Sequence, residues 1–293
     1  MWKYLAFKII GVPLSYLPVT IGYLIARVVA DSVYLLSPKL RGAIANNMRH
    51  VLGSGAGDDT IRQASKGVLR NAARNYFDLI KLPNIKLCDI EKRITVYGWH
   101  NYEDAHNRGK GVILVSAHLG SFDMTGQILA ARSEKVTVLV EPLEPEALLS
   151  HVTGLRKSKG LTFMPVRFGV LNTVINSLHR GETIGLICDR DFGKDGRRST
   201  FFGEETTLPA GAVRIAMRTG AAVIPAFNLR RGNSHYDVFF EPALEINSRG
   251  DEALARNMEQ IVQVMEKYIR LCPEQWVVLS PIWGDMTDKS GLL

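Results

Sequence analysis

The stretch Gly111-Val-Ile-Leu-Val-Ser-Ala-His118-Leu-Gly-Ser-Phe-Asp123 decides the fold. Its branched apolar run, residues 112–117, is typical of a strand that is buried on both faces of a parallel sheet. His118 then lies just past the carboxyl end of the strand, where open α/β sheets bind their ligands. Ser121 is a good helix N-cap, so we expect Asp123 in the first turn of the next helix.

His118 and Asp123 together have the chemistry of a general base and its carboxylate partner. A neutral imidazole accepts a proton near pH 7, and a carboxylate on its other ring nitrogen fixes the tautomer. On one straight helix, positions i and i+5 point about 140° apart, so the turn at Gly120 is needed for the two side chains to meet. The chain has no G-x-S-x-G sequence, which favours a base that acts directly on an incoming hydroxyl. The alternative is that Asp123 only complements the helix dipole and that His118 is a hydrogen-bonded turn residue.

The rest of the chain alternates between strand and helix patterns from residue 93 onward. Strands are predicted at 112–117, 136–140, 161–166, 183–188, 221–227 and 236–240. Helices are predicted at 121–132, 144–159, 169–180, 209–219 and 251–271, with a long polar loop before 208. Alternation with short connections predicts an α/β fold with a mostly parallel central sheet flanked by helices.

A second acidic position follows a strand in the same way as His118. Asp189 comes directly after the strand at 183–188, so it could meet His118 above the carboxyl edge of the sheet. Asp191 competes for the same role, and a plain pairing of Asp189 with Arg190 is the alternative. His50, His151 and the other histidines form no ligand cluster, and we predict no metal.

The first 37 residues differ in character from the rest. No charge occurs between Lys8 and Arg27, a length close to the roughly 20 residues that span a bilayer. Pro13 and Pro18 fall within this run and would break or kink a helix. The pattern predicts N-terminal apolar membrane-associating helices at 1–37 that insert at the interface, followed by an α/β domain at 38–293. A helical hairpin buried in a soluble domain is the alternative.

Charge and composition restrict the partners. The net charge of +7 over 293 residues suits an anionic partner such as a membrane surface, an acidic carrier protein or a phosphorylated donor. The sequence contains no recognised nucleic-acid-binding module, so we predict no nucleic acid partner. The cations Arg62, Lys66, Arg70 and Arg74 recur every four residues, which indicates either a solvated helix face or a surface for lipid head groups or a carrier protein.

The chain resembles acyltransferases with the H-x4-D motif that act on glycerolipids, through an ordered set of motifs over most of its length. His118 and Asp123 match the H-x4-D motif. The wider set resembles the branch of bacterial lipid A late acyltransferases and acyltransferases of mannosylated phosphatidylinositol. Its members here are Arg41 with Asn46-Asn47-Met-Arg-His50, Asn71-Ala-Ala-Arg-Asn-Tyr-Phe-Asp78, Asp189-Arg-Asp191, Phe201-Phe-Gly203, Pro209-Ala-Gly211, Gly220-Ala-Ala-Val-Ile-Pro225 and Pro273-Glu-Gln-Trp276.

The resemblance implies roles for further residues. An acidic residue at the place of Asp189 faces the catalytic histidine in some relatives, which makes His118, Asp123 and Asp189 the candidate catalytic set. Arg156 corresponds to an arginine thought to act at the acyl carbonyl, although a cation at a helix C-terminus is stabilising for its own reasons. The loop at 193–203 could hold an acidic head group while its aromatics line an acyl groove. The candidate substrate-binding residues are Arg156, Arg190, Arg197, Phe201, Phe202 and Gly203.

The expected activity is O-acyl transfer at a membrane. The donor is the thioester of acyl-CoA or acyl carrier protein, the acceptor is a hydroxyl of a glycolipid or lysophospholipid, and no cofactor is needed. We expect a peripheral or monotopic protein on the cytoplasmic face of the cell inner membrane or plasma membrane. The alternatives are a non-catalytic lipid-binding protein on the same scaffold and a thioesterase or lipid hydrolase.

Overall fold

A computed structural model describes residues 2–167, 169–193, 196–246 and 250–284, with side chains from residue 9 onward. Its helices are α1 (Trp2–Ser15), α2 (Val19–Leu36), α3 (Pro38–Leu52), α4 (Asp58–Lys81), α5 (Leu87–Glu91), α6 (Trp99–His106), α7 (Phe122–Thr125), α8 (Gln127–Ala131), α9 (Glu146–Lys157), α10 (Val170–His179), α11 (Gly211–Thr219) and α12 (Asp251–Leu271). Its strands are β1 (Ile94–Tyr97), β2 (Val112–Ser116), β3 (Val136–Val140), β4 (Thr162–Pro165), β5 (Thr183–Ile187), β6 (Arg197–Phe201), β7 (Glu204–Leu208), β8 (Ala222–Arg231) and β9 (His235–Phe240).

A seven-stranded sheet in the order β1-β9-β8-β2-β5-β3-β4 forms the centre of the molecule. The strands β8, β2, β5, β3 and β4 run parallel, whereas β9 is antiparallel to β8 and carries β1 in parallel with itself. Helices cover both faces, as the two apolar core clusters on either side of β2 show. The predicted fold class is therefore confirmed.

The sheet brings two polar positions to the same edge. Strands β2 and β5 are parallel neighbours, and Ser116 pairs in register with Ile187. His118 follows β2 by two residues, and Asp189 follows β5 by two residues. Parallel pairing in this register therefore places their side chains at one height above the carboxyl edge.

The N-terminal residues form two helices, and α2 begins directly after Pro18, as that proline predicts, whereas Pro13 lies inside α1 and does not end it. Helix α2 packs on α4 through one face, with Tyr23, Ala26, Ala30 and Tyr34 buried. By length and composition α2 is apolar enough to cross a membrane, yet only 28% of its residues are buried. Its outward face, together with that of α1, exposes apolar side chains: Ile9, Ile10, Val12, Ile21, Leu24, Ile25, Val28, Val29, Val33, Leu35 and Leu36. A domain boundary at residue 37 stays a prediction.

Three of the four cations in the basic stripe on α4 contact α2, whereas the exposed Arg62 pairs with Asp59 of its own helix. Arg70 binds Asp31 of α2 through Nε and Nη2 at 2.7 and 2.8 Å. The Lys66 ammonium lies 5.4 Å from the ring centroid of Tyr34, and the Arg74 guanidinium lies 5.2 Å from that of Tyr23. These cations therefore attach the apolar helix to the body of the protein.

The predicted polar loop before residue 208 is in part a β-hairpin, which corrects the sequence-based assignment. Strands β6 and β7 pair antiparallel, with Phe201 opposite Glu204. Phe202 and Gly203 both have positive φ, 51° and 82°, as a two-residue type I′ turn requires. The strands were missed because each has a single apolar residue, Phe201 in β6 and Leu208 in β7, and so lacks the apolar pattern that marks a strand.

Candidate active site

His118 and Asp189 form a hydrogen-bonded pair at the edge of the sheet. The Nδ1 atom of His118 lies 2.8 Å from Oδ1 of Asp189, and the backbone amide of His118 donates to Oδ2 at 2.8 Å. An ionised carboxylate only accepts, so Nδ1 carries the ring hydrogen and Nε2 is left as the basic nitrogen. The His118 side chain is 29% exposed while Asp189 is fully buried. The imidazole of His118 can therefore contact a substrate, whereas the carboxylate of Asp189 cannot.

Asp189 is held from a second direction by the C-terminal segment. Trp276 donates from Nε1 to Oδ2 of Asp189 at 2.7 Å. Burial alone would raise the pKa of Asp189, but the attraction and hydrogen bonds of His118 and Trp276 outweigh burial and hold that pKa below its ordinary value. The carboxylate therefore stays charged where it can stabilise an imidazolium. The amide of Val277 also donates to the carbonyl of His118 at 2.8 Å.

Asp123 is not hydrogen-bonded to the His118 ring, which corrects the expectation from the sequence. Its carboxylate binds Arg156, with Nε to Oδ1 at 2.7 Å and Nη2 to Oδ2 at 3.1 Å. The turn at Gly120 directs the start of α7 towards α9, so the five-residue spacing joins Asp123 to α9 instead of to the base. Arg156 is accordingly neither solvated nor a simple helix-terminus cation, because a forked ion pair fixes its guanidinium.

His118, Asp123 and Arg156 all line one large cavity. Its volume is about 1340 Å³, above the roughly 300–1,000 Å³ of ordinary ligand pockets. The polar lining residues include Asn75, Gln127, Glu141, Arg190, Asp191 and Asn228. The rest of the lining is dominated by aliphatic and aromatic side chains, as a long apolar substrate would require.

The cavity extends along both faces of the sheet and reaches the N-terminal helices. Leu114, Val138 and Phe163 line it on the face covered by α6 and α8. Leu139, Val174, Leu186 and Ile215 line it on the face covered by α10 and α11. Ile10, Gly11 and Leu14 of α1 form a further part of the wall.

Four of the predicted substrate-binding residues lie elsewhere, and the sequence-based assignment was wrong about their place. Phe201 and Phe202 are buried in an aromatic cluster with Trp276 and Trp283, with Phe201 and Trp283 stacked at 5.6 Å. Gly203 sits at the exposed tip of the hairpin, and Arg197 on β6 approaches Asp251 at 3.6 Å. The loop residues 194 and 195 lie outside the described residues. Phe201 and Phe202 pack against Trp276 instead of lining an acyl groove.

The other two strand-end residues, Arg190 and Asp191, both line the cavity but have different partners. Arg190 lines the cavity and pairs with Glu141, and burial lowers its pKa. Asp191 accepts from the amide of Gly196 at 3.0 Å and does not reach His118. Within the described residues no group of three or more His, Cys, Asp or Glu side chains is arranged to hold a metal ion.

Sequence reasoning missed Trp276 as a partner of Asp189. Its signal was present in the Pro273-Glu-Gln-Trp276 segment, but nothing local connects that segment to a residue 87 positions earlier. The contact depends on a short antiparallel bridge between Leu119 and Trp276, which only the folded chain creates.

An α/β sheet with a His–Asp pair at its carboxyl edge, opening on a large and mainly apolar cavity, fits an enzyme that acts on lipid-like substrates. The chain belongs to the bacterial lipid A biosynthesis acyltransferase family, whose sequence model matches residues 1–284. This confirms the resemblance drawn from the motifs.

Individual relatives agree with the family assignment. The chain is 28% identical over 255 residues to a phosphatidylinositol mannoside acyltransferase of Mycobacterium tuberculosis, covering 84% of this chain and 78% of that protein. It is 27% identical over 252 residues to the protein of the same name from Mycolicibacterium smegmatis, covering 84% and 81%. It is also 26% identical over 208 residues to a lipid A biosynthesis acyltransferase of Haemophilus influenzae, covering 69% and 63%.

Proposed function

We propose that this acyltransferase moves a fatty acyl group from the thioester of acyl-CoA or acyl carrier protein to a hydroxyl of a glycolipid or lysophospholipid, with His118 as general base. The observation that carries the proposal is the shared cavity: the same apolar space contacts the exposed face of His118 and the α1 side chains Ile10 and Leu14. A lipid held by the apolar helices can thus present a polar head to the base.

The chemical step follows from the geometry around His118. Nε2 removes the proton of the acceptor hydroxyl, and the oxygen attacks the thioester carbonyl to form the new C–O bond. Asp189 stabilises the imidazolium that results. The tetrahedral intermediate then collapses, the C–S bond breaks, and the imidazolium returns its proton to the leaving thiolate. No serine intermediate is needed, because the base acts on the acceptor itself.

Arg156 is the group that we assign to the oxyanion. The amides of Leu119, Gly120 and Ser121 are engaged in internal hydrogen bonds, to Ala117, Gln275 and Asn228 respectively. Arg156 lines the cavity and is fixed by Asp123, so a preorganised cation is available there. In this scheme Asp123 acts through Arg156 and not through the tautomer of His118.

The donor and the membrane face are inferred from charge and exposed surface. Arg167, Arg190 and Arg214 line the cavity and suit a phosphorylated donor or an acidic carrier protein. Helix α2 packs on α4 through one face and exposes apolar residues on the other, which favours a monotopic position in the membrane. The cytoplasmic face is part of the proposal and follows from the proposed donors.

The test is transfer from a radiolabelled thioester donor to a panel of glycolipids and lysophospholipids. General base catalysis contributes about 10²–10⁴-fold, so His118→Ala should lose at least that factor in kcat while it stays folded. His179→Ala, at the exposed end of α10, is the matched control. Unchanged turnover of His118→Ala would refute the mechanism, and donor hydrolysis that no acceptor diminishes would instead indicate a thioesterase.

A further inference from the structure

The backbone of the turn after β2 is held by three separate elements. Asn75 of α4 donates to the carbonyl of Gly120 at 2.7 Å, and the carbonyl of Gln275 accepts from the Gly120 amide at 3.0 Å. The amide of Ser121 donates to Oδ1 of Asn228 on β8 at 2.7 Å. Gly120 has a φ of 66°, and a Cβ there would lie 2.3 Å from that same Oδ1. The turn is therefore fixed in one conformation.

A buried ion pair lies behind this turn. Asp78 of α4 and Arg230 of β8 have side chains that are 4% and 3% exposed, and Nη2 of Arg230 meets Oδ2 of Asp78 at 2.8 Å. The same Oδ2 accepts from the hydroxyl of Ser121 at 3.0 Å, and Nη2 also donates to Oδ1 of Asn75 at 2.8 Å. Ser121 is thus bonded directly to the ion pair, and Gly120 is linked to it through Asn75.

The pair also reaches the apolar helix α2. The hydroxyl of Tyr23 donates to Oδ1 of Asp78 at 2.8 Å and accepts from Nη1 of Arg230 at 2.5 Å. Tyr23 is buried on the face of α2 that packs on α4, while Leu24 and Val28 lie exposed on the opposite face. One side of α2 therefore presents an apolar surface, and the other bonds the ion pair behind the turn.

Stability alone is a poor account of such a pair. A buried ion pair is often no more stabilising than apolar residues of the same volume, because removing two charges from water is costly. Here Nε of Arg230 has no partner, which adds to that cost. Neither Asp78 nor Arg230 is among the described residues that line the cavity, so they cannot act on substrate directly.

We propose that Asp78 and Arg230 are positioning residues for acyl transfer: with Tyr23 and Ser121 they hold the turn after β2, and so the imidazole of His118, and tie it to α2. The inference rests on the proposed role of His118 as the base. It also explains why two sequence segments far from the H-x4-D motif, 71–78 and 273–276, matter to that motif. Both supply bonds to the same turn.

Ser121→Ala and Tyr23→Phe test the proposal because each removes one neutral oxygen and leaves the ion pair in place. We expect each to lower kcat about tenfold, equal to about 1.4 kcal/mol, with KM within twofold of wild type. The double variant should lose little more than either single variant, because residues that act as a unit are not additive.

The controls remove the same groups outside the unit. Ser65→Ala deletes a buried hydroxyl that bonds only its own helix, at the carbonyl of Ile61. Tyr34→Phe deletes a phenol oxygen from the same buried face of α2. Both controls should keep the wild-type kcat even where they lower the melting temperature.

Each outcome bears on the proposal in a different way. Wild-type kcat in Ser121→Ala and Tyr23→Phe, with or without a lower melting temperature, would overturn it, and so would a change confined to KM. If His118→Ala is inactive while Ser121→Ala is fully active, only the positioning role fails. If His118→Ala keeps its turnover, the proposed function fails first.

Discussion

At the scale of single residues, Asp189 is the most demanding position in the site. Its two oxygens accept from the ring and amide of His118 and from Trp276. In Asp189→Asn, a single amide oxygen replaces the two carboxylate oxygens that accept from His118 and Trp276. The new NH2 group then faces one of these donors and cannot accept from it. We expect kcat to fall about 10²–10⁴-fold with KM nearly unchanged, because the loss concerns the imidazolium formed during the reaction.

The comparison for this prediction is Asp191→Asn, two residues along the same loop. Asp191 bonds the Gly196 amide and does not reach His118, so its variant should keep kcat within a few-fold of wild type. Steady-state kinetics of both variants on one donor and acceptor decide the matter. A larger loss of kcat in Asp191→Asn than in Asp189→Asn would mean that Asp191, and not Asp189, supports the base.

The residue scale also shows where sequence reasoning stopped. His118 was placed correctly because an apolar strand ending in a histidine is a local signal. Two carboxylate partners were predicted, Asp123 from its distance along the chain and Asp189 from its place after a strand, and the structure pairs the imidazole with Asp189. Choosing between them needs the strand order, because β5 lies beside β2 although β3 and β4 come between them in sequence. The partner of Asp123, Arg156, is equally non-local.

At the scale of elements, strand β5 has a glycine, Gly185, whose missing side chain leaves space in the cavity. Gly185 pairs with Leu114 on one side and Val138 on the other, and all three line the cavity. It lies four residues before Asp189, or roughly 13 Å below it at about 3.3 Å per residue. A chain held with its carbonyl near His118 would pass this point, provided that it is long.

Gly185→Leu should therefore shorten the usable groove. A Cβ there would lie 3.3 Å from the nearest methyl of Val138, so a larger side chain must project into the cavity. We expect kcat/KM to fall at least tenfold for long-chain donors and to stay within twofold for short-chain ones. Gly42→Leu, where no atom lies within 4 Å of a Cβ, is the control. An equal loss for all donors would place the acyl chain on the other face of the sheet.

The outward face of α2 supports a prediction about membrane binding. Leu24 and Val28 are one helical turn apart and exposed. In a double Leu24→Lys, Val28→Lys variant, two apolar contacts worth about 1.5–3 kcal/mol each when buried are replaced by hydrated charges. Partitioning into neutral phosphatidylcholine vesicles should fall at least 100-fold in co-sedimentation. Leu271→Lys, on the equally exposed end of α12, should leave it unchanged, and equal binding of all three proteins would contradict a monotopic α2.

The elements themselves were predictable to different degrees. The strands at 136–140 and 236–240 were placed within a residue, because short runs rich in β-branched and aromatic residues between polar turns are strong signals. The helix predicted at 121–132 is two short helices that divide at Gly126. Strand β1 was missed, since Ile94–Tyr97 is half-exposed at the edge of the sheet and has no buried run to mark it.

At the scale of the whole molecule, the turn after β2 is the point where distant parts of the chain meet. Helix α4, strand β8, the end of β5 and the C-terminal segment all bond to it. The C-terminal segment is itself fixed by Asn47 of α3, which donates to the carbonyl of Ser280 at 2.8 Å. The parallel strands and the C-terminal segment are far apart in sequence, and their contacts must form together. The site therefore exists only in the complete fold.

Several carboxylates tie the stability of this fold to pH. A hydrogen bond and ion pair with Arg180 lower the pKa of Glu182. Burial would raise the pKa of Glu241, but bonds from Lys267 and Tyr268 outweigh it and lower that pKa. Asp189 has a lowered pKa for the same kind of reason. In each case the unfolded chain binds protons more readily than the folded chain does.

We therefore expect the free energy of unfolding to be steady between neutral pH and about pH 5, and to fall once the pH drops below the unfolded values near 4 and through the lower folded ones. Urea unfolding at a series of pH values from 7 to 3 measures this. Asp189→Asn should be less stable at pH 7 and should lose less on acidification, because one of the linked carboxylates is gone. The replacement Glu205→Gln, on an exposed strand position, should leave the curve as in wild type. A free energy of unfolding that rises between pH 5 and 3 would have the wrong sign for carboxylates that the fold keeps ionised. It would mean that the pH dependence comes from groups that the fold keeps neutral.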